Sequence, residues 1–411
     1  MPAVERLELA DPPRGFVDSP WPVYARLREA APVHFQTDGS AIVSRHATLE
    51  AIYRDVAGFS SDKRAAFAPV FGEGSPLYRH HTTSLVFNDP PLHTRVRRLL
   101  VGALTPRALA RLEPGLVATV DALLDDLAAK AAGDESGEID LIGDFAARIP
   151  LSVIGDLFDV PVDERGPLRD WSLAILGALE PAPDASVRAR GDAAVTEFGA
   201  YLDDLVARRR AAPGDPDTDV LTRLLHGRGD GSADGALDGP TLVENCIFVL
   251  NAGHETTTNL IGSALDLLAR HPDARAALAR AGTVPGSAVD EWLRLESPNQ
   301  FGNRVATRDV VLDGVAVPAG TNLHLCIGAA NRDPRAFDAP DEMRLDRSPN
   351  RHLAFAAGPH VCLGLTLARM EARVAVERLL RRLPDYRIVR RERSARLRFR
   401  GFARLTARLG A

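Results

Sequence analysis

Apolar residues recur at helical spacing along most of the chain, so the pattern predicts a mainly helical protein. The run from Leu363 to Leu383 shows this period clearly, and Pro384 ends it. A second long run begins after Pro240 and continues to about Arg270. The helices predicted in this way cover residues 20–31, 46–55, 92–110, 113–133, 143–158, 163–179, 186–211, 241–270 and 363–383.

Two short stretches have the pattern of β-hairpins instead. Residues 32–36 and 41–44 flank an Asp-Gly turn, and residues 310–312 and 315–317 flank another. We therefore expect β-rich patches at about 32–45 and about 304–327, within one domain that spans residues 1–411. Residues 59–91 lose any period, and we interpret them as a long functional loop. The predicted fold class is mainly α with small peripheral β-sheets.

Composition narrows the function classes. The 411 residues are 45% hydrophobic and carry a net charge of −5, which allows a large core and gives no indication of nucleic-acid binding. The three cysteines imply no disulfide framework, and Cys246 and Cys326 read as small buried apolar residues. The polar start and the absence of a run of roughly 18 apolar residues predict a cytoplasmic protein outside the membrane.

The remaining cysteine, Cys362, ends a loop that begins at Phe355 and leads into the C-terminal helix. A helix N-terminus favours a thiolate, and Gly358 and Gly364 let the backbone approach a flat group closely. A lone thiolate is too few ligands for zinc, but it can be the single protein ligand of a haem iron. The alternative is a buried free cysteine at a helix start.

The order Phe, Gly, His, Cys, Gly at positions 355, 358, 360, 362 and 364 resembles the cysteine loop of the cytochrome P450 family of haem-thiolate monooxygenases. Ala356 departs from this pattern, because the family often has glycine there. The resemblance covers essentially the whole chain and implies a P450-type single large domain. It implies Cys362 as the metal ligand and Phe355 and Gly364 as further contacts of the haem.

The second motif is Ala252-Gly-His-Glu-Thr-Thr-Thr258 in the middle of the long central helix. Glycine and threonine are poor residues for a helix centre, and a buried carboxylate is costly unless something uses it. The alternative is a solvated kink. The resemblance implies that Glu255 brings protons, that Thr256 hydrogen-bonds the bound dioxygen, and that Ala252 and Gly253 leave room above the haem. His254 reads as a structural or surface histidine.

Further residues take their roles from the same resemblance. Glu291 and Arg294, one helical turn apart, would form a structural network, with Arg332 as a candidate third member. Four basic residues would bind the haem propionates: His93, Arg97, Arg304 and His360. Four apolar residues would line the substrate pocket: Val86, Phe248, Val249 and Phe301. Four more arginines read as solvated or as a docking surface for an acidic redox partner: Arg95, Arg98, Arg369 and Arg373.

The function that the resemblance implies is a monooxygenase that activates O2 at a Cys-ligated haem b. It would hydroxylate or demethylate a small or medium organic substrate, with electrons from a ferredoxin and its reductase. One alternative is a peroxide-using haem-thiolate enzyme, which usually lacks the acid–alcohol pair found at Glu255 and Thr256. The other alternative is a non-catalytic haem-binding sensor, which would need neither this pair nor a substrate loop.

Overall fold

A computed structural model describes residues 7–102, 104–133, 135–216, 218–226, 237 and 239–409. Helices dominate this part of the chain, as the periodicity predicts. The α-helices are α1 (Trp21–Ala30), α2 (His46–Arg54), α3 (Arg64–Phe71), α4 (Pro76–Thr83), α5 (Leu92–Val101), α6 (Pro106–Gly133), α7 (Arg148–Leu157), α8 (Leu168–Gly177), α9 (Ala185–Ala211), α10 (Val220–His226), α11 (Gly239–Arg270), α12 (Pro272–Ala281), α13 (Gly286–Leu295), α14 (Ile327–Ala330) and α15 (Leu365–Arg382).

The strands form small sheets at the edge of this helical body. They are β1 (Val33–Phe35), β2 (Ala41–Val43), β3 (Phe59–Ser60), β4 (Glu138–Asp140), β5 (Phe301–Ala306), β6 (Val310–Leu312), β7 (Val315–Val317), β8 (Asn322–Cys326), β9 (Arg387–Arg393) and β10 (Phe402–Arg408). The largest sheet has the order β1-β2-β8-β5-β3, with β2 and β8 parallel. The order β4-β10-β9 makes a second sheet, and β6 and β7 make a hairpin.

Helix α11 is the central element of the fold. It runs through the largest hydrophobic cluster and packs against α7, α8, α9 and α15. Two smaller clusters lie on the two faces of the five-stranded sheet. Within the described part of the chain, none of the helices combines the length and the apolar character needed to cross a bilayer.

The predicted hairpins and the long C-terminal and central helices are confirmed, with bounds that shift by a few residues. The prediction of a loop over residues 59–91 is wrong, because this segment holds β3, α3, α4 and a 3₁₀ turn at Leu85–Phe87. Helices α3 and α4 are eight residues each, too short to repeat an apolar period. Ser75 caps α4 by accepting a hydrogen bond from the Tyr78 N–H at 3.0 Å.

Several helix boundaries also differ from the prediction. The run at 92–110 is broken after Val101, and α6 begins at Pro106 and continues through Pro114. Pro114 lies inside α6, where it lacks its own N–H donor but does not end the helix, so it does not mark the boundary that its position suggested. The run at 143–158 begins as a π-helical turn over Leu141–Ala146 before α7. Strands β9 and β10 were not predicted.

Candidate active site

The middle of α11 has a stripe that the rest of the protein covers only partly. Phe248, Val249 and Thr256 are half-buried and Ala252 is exposed, although most residues of this helix are buried. The Thr256 hydroxyl donates a hydrogen bond to the carbonyl of Ala252 at 2.8 Å, one turn earlier. Such a bond loosens the helix locally and keeps the hydroxyl on the uncovered side. The structure therefore places the expected alcohol on an accessible face.

Gly253 lies beside this stripe but has a packing role. A Cβ at this position would lie 3.0 Å from Cδ1 of Ile154 on α7. The missing side chain lets α7 approach the central helix closely.

Glu255 points away from the stripe into a buried ion pair. Nη1 of Arg396 lies 2.7 and 2.6 Å from its two carboxylate oxygens, and Nη2 donates to the carbonyl of Leu173 at 2.8 Å. Burial raises the pKa of Glu255 to about 7, with Arg396 acting in the opposite direction and Glu180 adding to the increase. A carboxyl group with this pKa exchanges protons near neutral pH.

Sequence reasoning missed Arg396, because it comes from the 394–401 segment between β9 and β10, far along the chain. His254 is buried on another side of α11, and burial lowers its pKa to about 4. It is therefore a neutral structural histidine, as one of the two readings of the sequence expected.

The cysteine loop closes on itself just before α15. The Cys362 N–H donates to the carbonyl of Phe355 at 2.9 Å, and Gly364 is the N-cap of the helix. Burial raises the pKa of the Cys362 thiol, against the N–H of Gly364 and the positive charges of Arg97 and Arg369. The start of α15 favours the thiolate, as the sequence predicts, but burial outweighs this effect. A bound metal cation would supply the missing stabilisation.

Two positions shape this loop. Ala356 has a φ of 57°, in the left-handed region, and Gly358 has a φ of +68°. A Cβ on Gly358 would collide with the backbone of Tyr53 and Arg54 at the end of α2. The loop therefore lies directly on α2, and only glycine fits at position 358.

The predicted propionate ligands gather beside this loop. The rings of His93 and His360 stack with centroids 3.9 Å apart, and Arg304 lies over the Tyr53 ring at 5.2 Å. Arg97 lines a cleft of about 390 Å³ together with His93.

These basic groups have unused hydrogen-bonding capacity. Both ring nitrogens of His93, and Nε and Nη2 of Arg304, are buried without a partner among the described residues. Burial lowers the pKa of His360 to about 3, with Arg304 adding to the decrease. Unpaired buried donors of this kind are costly unless an acceptor binds there. The residues present therefore fit a group with two carboxylates, as haem has.

Glu291 and Arg294 form a buried network on α13. Both side chains are fully buried, and Arg294 donates to the two carboxylate oxygens of Glu291 at 2.8 Å. Burial by itself raises the pKa of Glu291, but the hydrogen bonds from Arg294, Arg344 and Arg347 lower it overall. The third member is Arg347, whose Nε lies 3.1 and 3.0 Å from the same oxygens.

Arg332, the candidate for that third position, is not part of the network. It donates to Asp341 at 2.8 Å and to the carbonyl of Leu295, and it stacks on Trp21 at 3.8 Å. Arg332 is nearer to the motif along the chain than Arg347 is, so only the folded chain shows that Arg347 is the partner. Arg369 is also not simply solvated, because its Nε donates to Asp290 at 2.7 Å and its guanidinium covers the Phe355 ring at 4.8 Å.

The predicted pocket residues do not all lie together. Val86 sits in the 3₁₀ turn that α11 holds through a 2.8 Å hydrogen bond from the Leu85 N–H to Asn245. It is thus close to the helix that carries Phe248 and Val249. Phe301 instead packs edge-on against Tyr24, with ring centroids 6.1 Å apart, in the cluster beside α1. Its side chain belongs to the core, so we remove it from the candidate pocket.

The site combines one loop cysteine with basic groups whose hydrogen-bond donors are unused. It also has an acid and an alcohol on the long central helix. This combination is typical of the haem-thiolate class of oxidoreductases. Comparison with known proteins leads to the same class. Residues 178–281 and 286–384 match the family model described as "Cytochrome P450". The chain therefore belongs to the cytochrome P450 family, which carries haem and works with O2, an organic substrate and redox partners.

The relatives cover nearly the whole chain. The biotin biosynthesis cytochrome P450 of Bacillus subtilis is 32% identical over 374 residues, 90% of each protein. The cytochrome P450 monooxygenase PikC of Streptomyces venezuelae is 35% identical over 385 residues, 92% of this chain and 87% of PikC. A crystal structure of P450BioI in complex with an acyl carrier protein carrying hexadec-9Z-enoic acid has a TM-score of 0.88 at 31% identity, covering 96% of this chain and 99% of that one.

Proposed function

We propose that this P450 is a monooxygenase that hydroxylates or demethylates a small or medium organic substrate. It would use haem b and take electrons from a ferredoxin and its reductase. The observation that carries the proposal is the pair on α11: Glu255 with a pKa near 7 and, next to it, the Thr256 hydroxyl on the uncovered stripe. We also propose that residues 1–411 form a single domain, and a cytoplasmic location stays a prediction.

Haem, when bound, supplies the iron at which O2 binds and is reduced. Cys362 would be its protein ligand, with Phe355 and Gly364 on the same side. Its carboxylates would accept hydrogen bonds from the groups that have unused donors or lie beside them: His93, Arg97, Arg304 and His360.

Glu255 and Thr256 would handle protons in this scheme. Glu255 has a pKa at which it both takes up and releases a proton near neutral pH. Arg396 holds the carboxylate away from the stripe, so delivery requires Glu255 to leave this pair or to pass the proton through water. Thr256 can redirect its hydroxyl from the Ala252 carbonyl, because a hydroxyl rotates freely. Ala252 leaves space for O2 and substrate on the same face.

The pair also separates this proposal from its rivals. A peroxide-using enzyme of the same class has no need of a tuned acid beside an alcohol, and a sensor has no need of either. The substrate would contact the residues that remain in the candidate pocket, Val86, Phe248 and Val249. One named relative acts in biotin biosynthesis and one was crystallised with a fatty acid on an acyl carrier protein, and we propose neither substrate for this chain on that ground alone.

An optical spectrum of the reduced, carbon monoxide-treated protein tests the central claim. We expect the red-shifted Soret band of thiolate-ligated haem in the wild type and its loss in Cys362→Ser. Cys326→Ala is the matched control, because Cys326 is a buried cysteine in the cluster beside α1 and should leave the band unchanged. A histidine-type spectrum in the wild type, or an unchanged band in Cys362→Ser, would contradict the proposal.

A further inference from the structure

A row of polar side chains lies on one face of β5 and β8. Asn322 and His324 are two residues apart on β8 and so point to the same face, and Asn303 on β5 is the cross-strand partner of His324. Lys63 extends the row at one end, because its Nζ donates to Asn322 Oδ1 at 2.9 Å. Arg398 extends it at the other end, next to Asn303.

The amide of Asn303 connects the middle of the row to Arg398. Its hydrogen bonds are satisfied when the amide oxygen faces the guanidinium of Arg398, at 3.1 and 3.2 Å, and the nitrogen lies 3.3 Å from Nδ1 of His324. The five side chains therefore form one polar strip on this face of the sheet, with a basic group at each end and a third in the middle.

The three basic side chains are buried without a counter-anion. Lys63 is 1% exposed, His324 7% and Arg398 9%. In the parts of the chain that the structure describes, no carboxylate is hydrogen-bonded to any of these side chains. A buried positive charge in this situation is costly, and proteins usually pair it.

The nearest acids are already occupied by other groups. Asp62 accepts from the backbone and side chain of Arg64, and Asp89 accepts from Ser60 and from the Ser61 N–H at 2.9 Å. Glu180 accepts from the backbone N–H groups of Leu397 and Arg398, at 2.8 and 3.0 Å.

Electrostatics agree with an excess of positive charge at this strip. Burial lowers the pKa of Lys63 well below its usual value, and Arg304 and Arg398 lower it further. Burial also lowers the pKa of His324 to about 3, with Arg398 and Lys63 acting in the same direction. An anion bound here would raise both pKa values and so favour the charged forms of Lys63 and His324.

The strip lies next to the candidate active site. Lys63 is the N-cap of α3, which follows β3, the edge strand beside β5. Arg398 is two residues from Arg396, the partner of Glu255. Aromatic side chains stand beyond Lys63, where Phe67 packs edge-on against Phe71 and Phe87 with ring centroids 5.3 and 5.2 Å apart. A basic strip thus adjoins an apolar wall.

We propose that Lys63 and Arg398 bind a carboxylate of the substrate, whose apolar body extends along the phenylalanine side chains of α3 and the turn after α4. The substrate class is therefore an organic acid. Asn322 is half-buried beside Lys63, and because its Oδ1 accepts from Lys63, its amide nitrogen can donate to the same anion. This inference rests on the proposed function, since it concerns the substrate of the same site.

Matched ligand pairs test the inference in the haem-loaded protein. The probes are straight-chain carboxylates of eight to sixteen carbons and 4-phenylbutanoate, each beside the corresponding primary alcohol. Binding is measured by the optical change on displacement of water from the iron, and independently by the rise in thermal unfolding temperature. We expect the acid to bind about tenfold or more tightly than its alcohol, the size of a charge-assisted hydrogen bond.

Lys63→Met should remove this preference while the affinity for the alcohol stays within about twofold of the wild type. The variant should fold, because it replaces a buried amine with an apolar chain of similar length. Arg390→Met is the control, since Arg390 is an exposed residue of β9 paired with Glu392, and it should keep the preference.

Two results would overturn the inference. One is equal binding of acids and alcohols by the wild type. The other is an unchanged preference in Lys63→Met; if that variant also has a lower haem-to-protein ratio, Lys63 is assigned to a haem carboxylate instead. If the protein still shows the thiolate-type spectrum, either result contradicts only this inference and leaves the proposed function standing. Loss of that spectrum in the wild type would remove the proposed function itself.

Discussion

Arg396→Met is the change that most directly tests the role of Glu255. The guanidinium stabilises the ionised carboxylate through Nη1, at 2.7 and 2.6 Å from its two oxygens. Burial acts in the opposite direction and is the larger effect, so the pKa of Glu255 is about 7 rather than its usual 4.5. Methionine fills similar volume but offers no charge, so the variant leaves the burial and removes the cation.

The size of the effect follows from the geometry. A hydrogen bond to a charged group contributes about 1.5–3 kcal/mol, and a short contact with both oxygens lies at the upper end. Loss of about 3 kcal/mol from the ionised form alone raises a pKa by about two pH units. The sign is upward, because removing a positive charge disfavours the carboxylate. In the variant Glu255 would stay protonated at neutral pH and would release its proton only near pH 9, about two units above the wild type.

The assay is the pH dependence of product formation and of peroxide release in the reconstituted enzyme. We expect the midpoint assigned to Glu255 to move up by about two pH units in Arg396→Met and to disappear in Glu255→Gln. Arg390→Met, on the same strand pair but exposed, should leave the profile unchanged. Superimposable profiles for the wild type and Arg396→Met would refute the idea that this arginine sets the proton affinity of Glu255.

Two further predictions concern stability and are read from chemical unfolding of the haem-loaded protein. Ala356→Gly should raise the free energy of unfolding by about 0.5–1 kcal/mol, because alanine is strained at a φ of 57°. Ala357→Gly, at a φ of −146°, should instead lower the free energy of unfolding by about 1 kcal/mol. A change of the same sign in both variants would exclude the backbone explanation. Arg347→Met should cost about 2–3 kcal/mol, because it withdraws two hydrogen bonds from the fully buried Glu291. Arg344→Met keeps the backbone donor to Glu291 and loses only exposed ion pairs, so a comparable loss in that variant would contradict the argument.

The parts of the site that lie on one stretch of chain could be predicted from sequence. The spacing from Phe355 to Gly364 is a local turn, and the loop closes through a hydrogen bond between two of its own residues. Glu291 and Arg294 are one helical turn apart and pair with each other. In each case the interacting groups are brought together by the geometry of a single turn, which residue spacing expresses directly.

The parts that depend on distant segments could not be predicted. Arg347 reaches Glu291 from 56 residues away, and Arg396 reaches Glu255 from 141 residues away. The resemblance put Phe301 in the substrate pocket, but tertiary packing buries it against Tyr24. Which of many arginines meets a given carboxylate depends on chain crossings that no local pattern encodes. Because the protein contains many arginines, the partner of a given carboxylate is especially hard to predict from sequence.

The 394–401 segment links the two functions that we assign to this site. Arg396 holds the proton-carrying Glu255, and two residues later Arg398 stands at one end of the basic strip. Both arginines also donate to backbone carbonyls near the end of α8, at Leu173 and Leu179, each at 2.8 Å. A short segment anchored at both arginines cannot shift one without the other. Binding of an organic acid at Arg398 would therefore change the position of Arg396 and with it the ion pair of Glu255. The pH profile of product formation should be measured with and without a carboxylate ligand to detect this change.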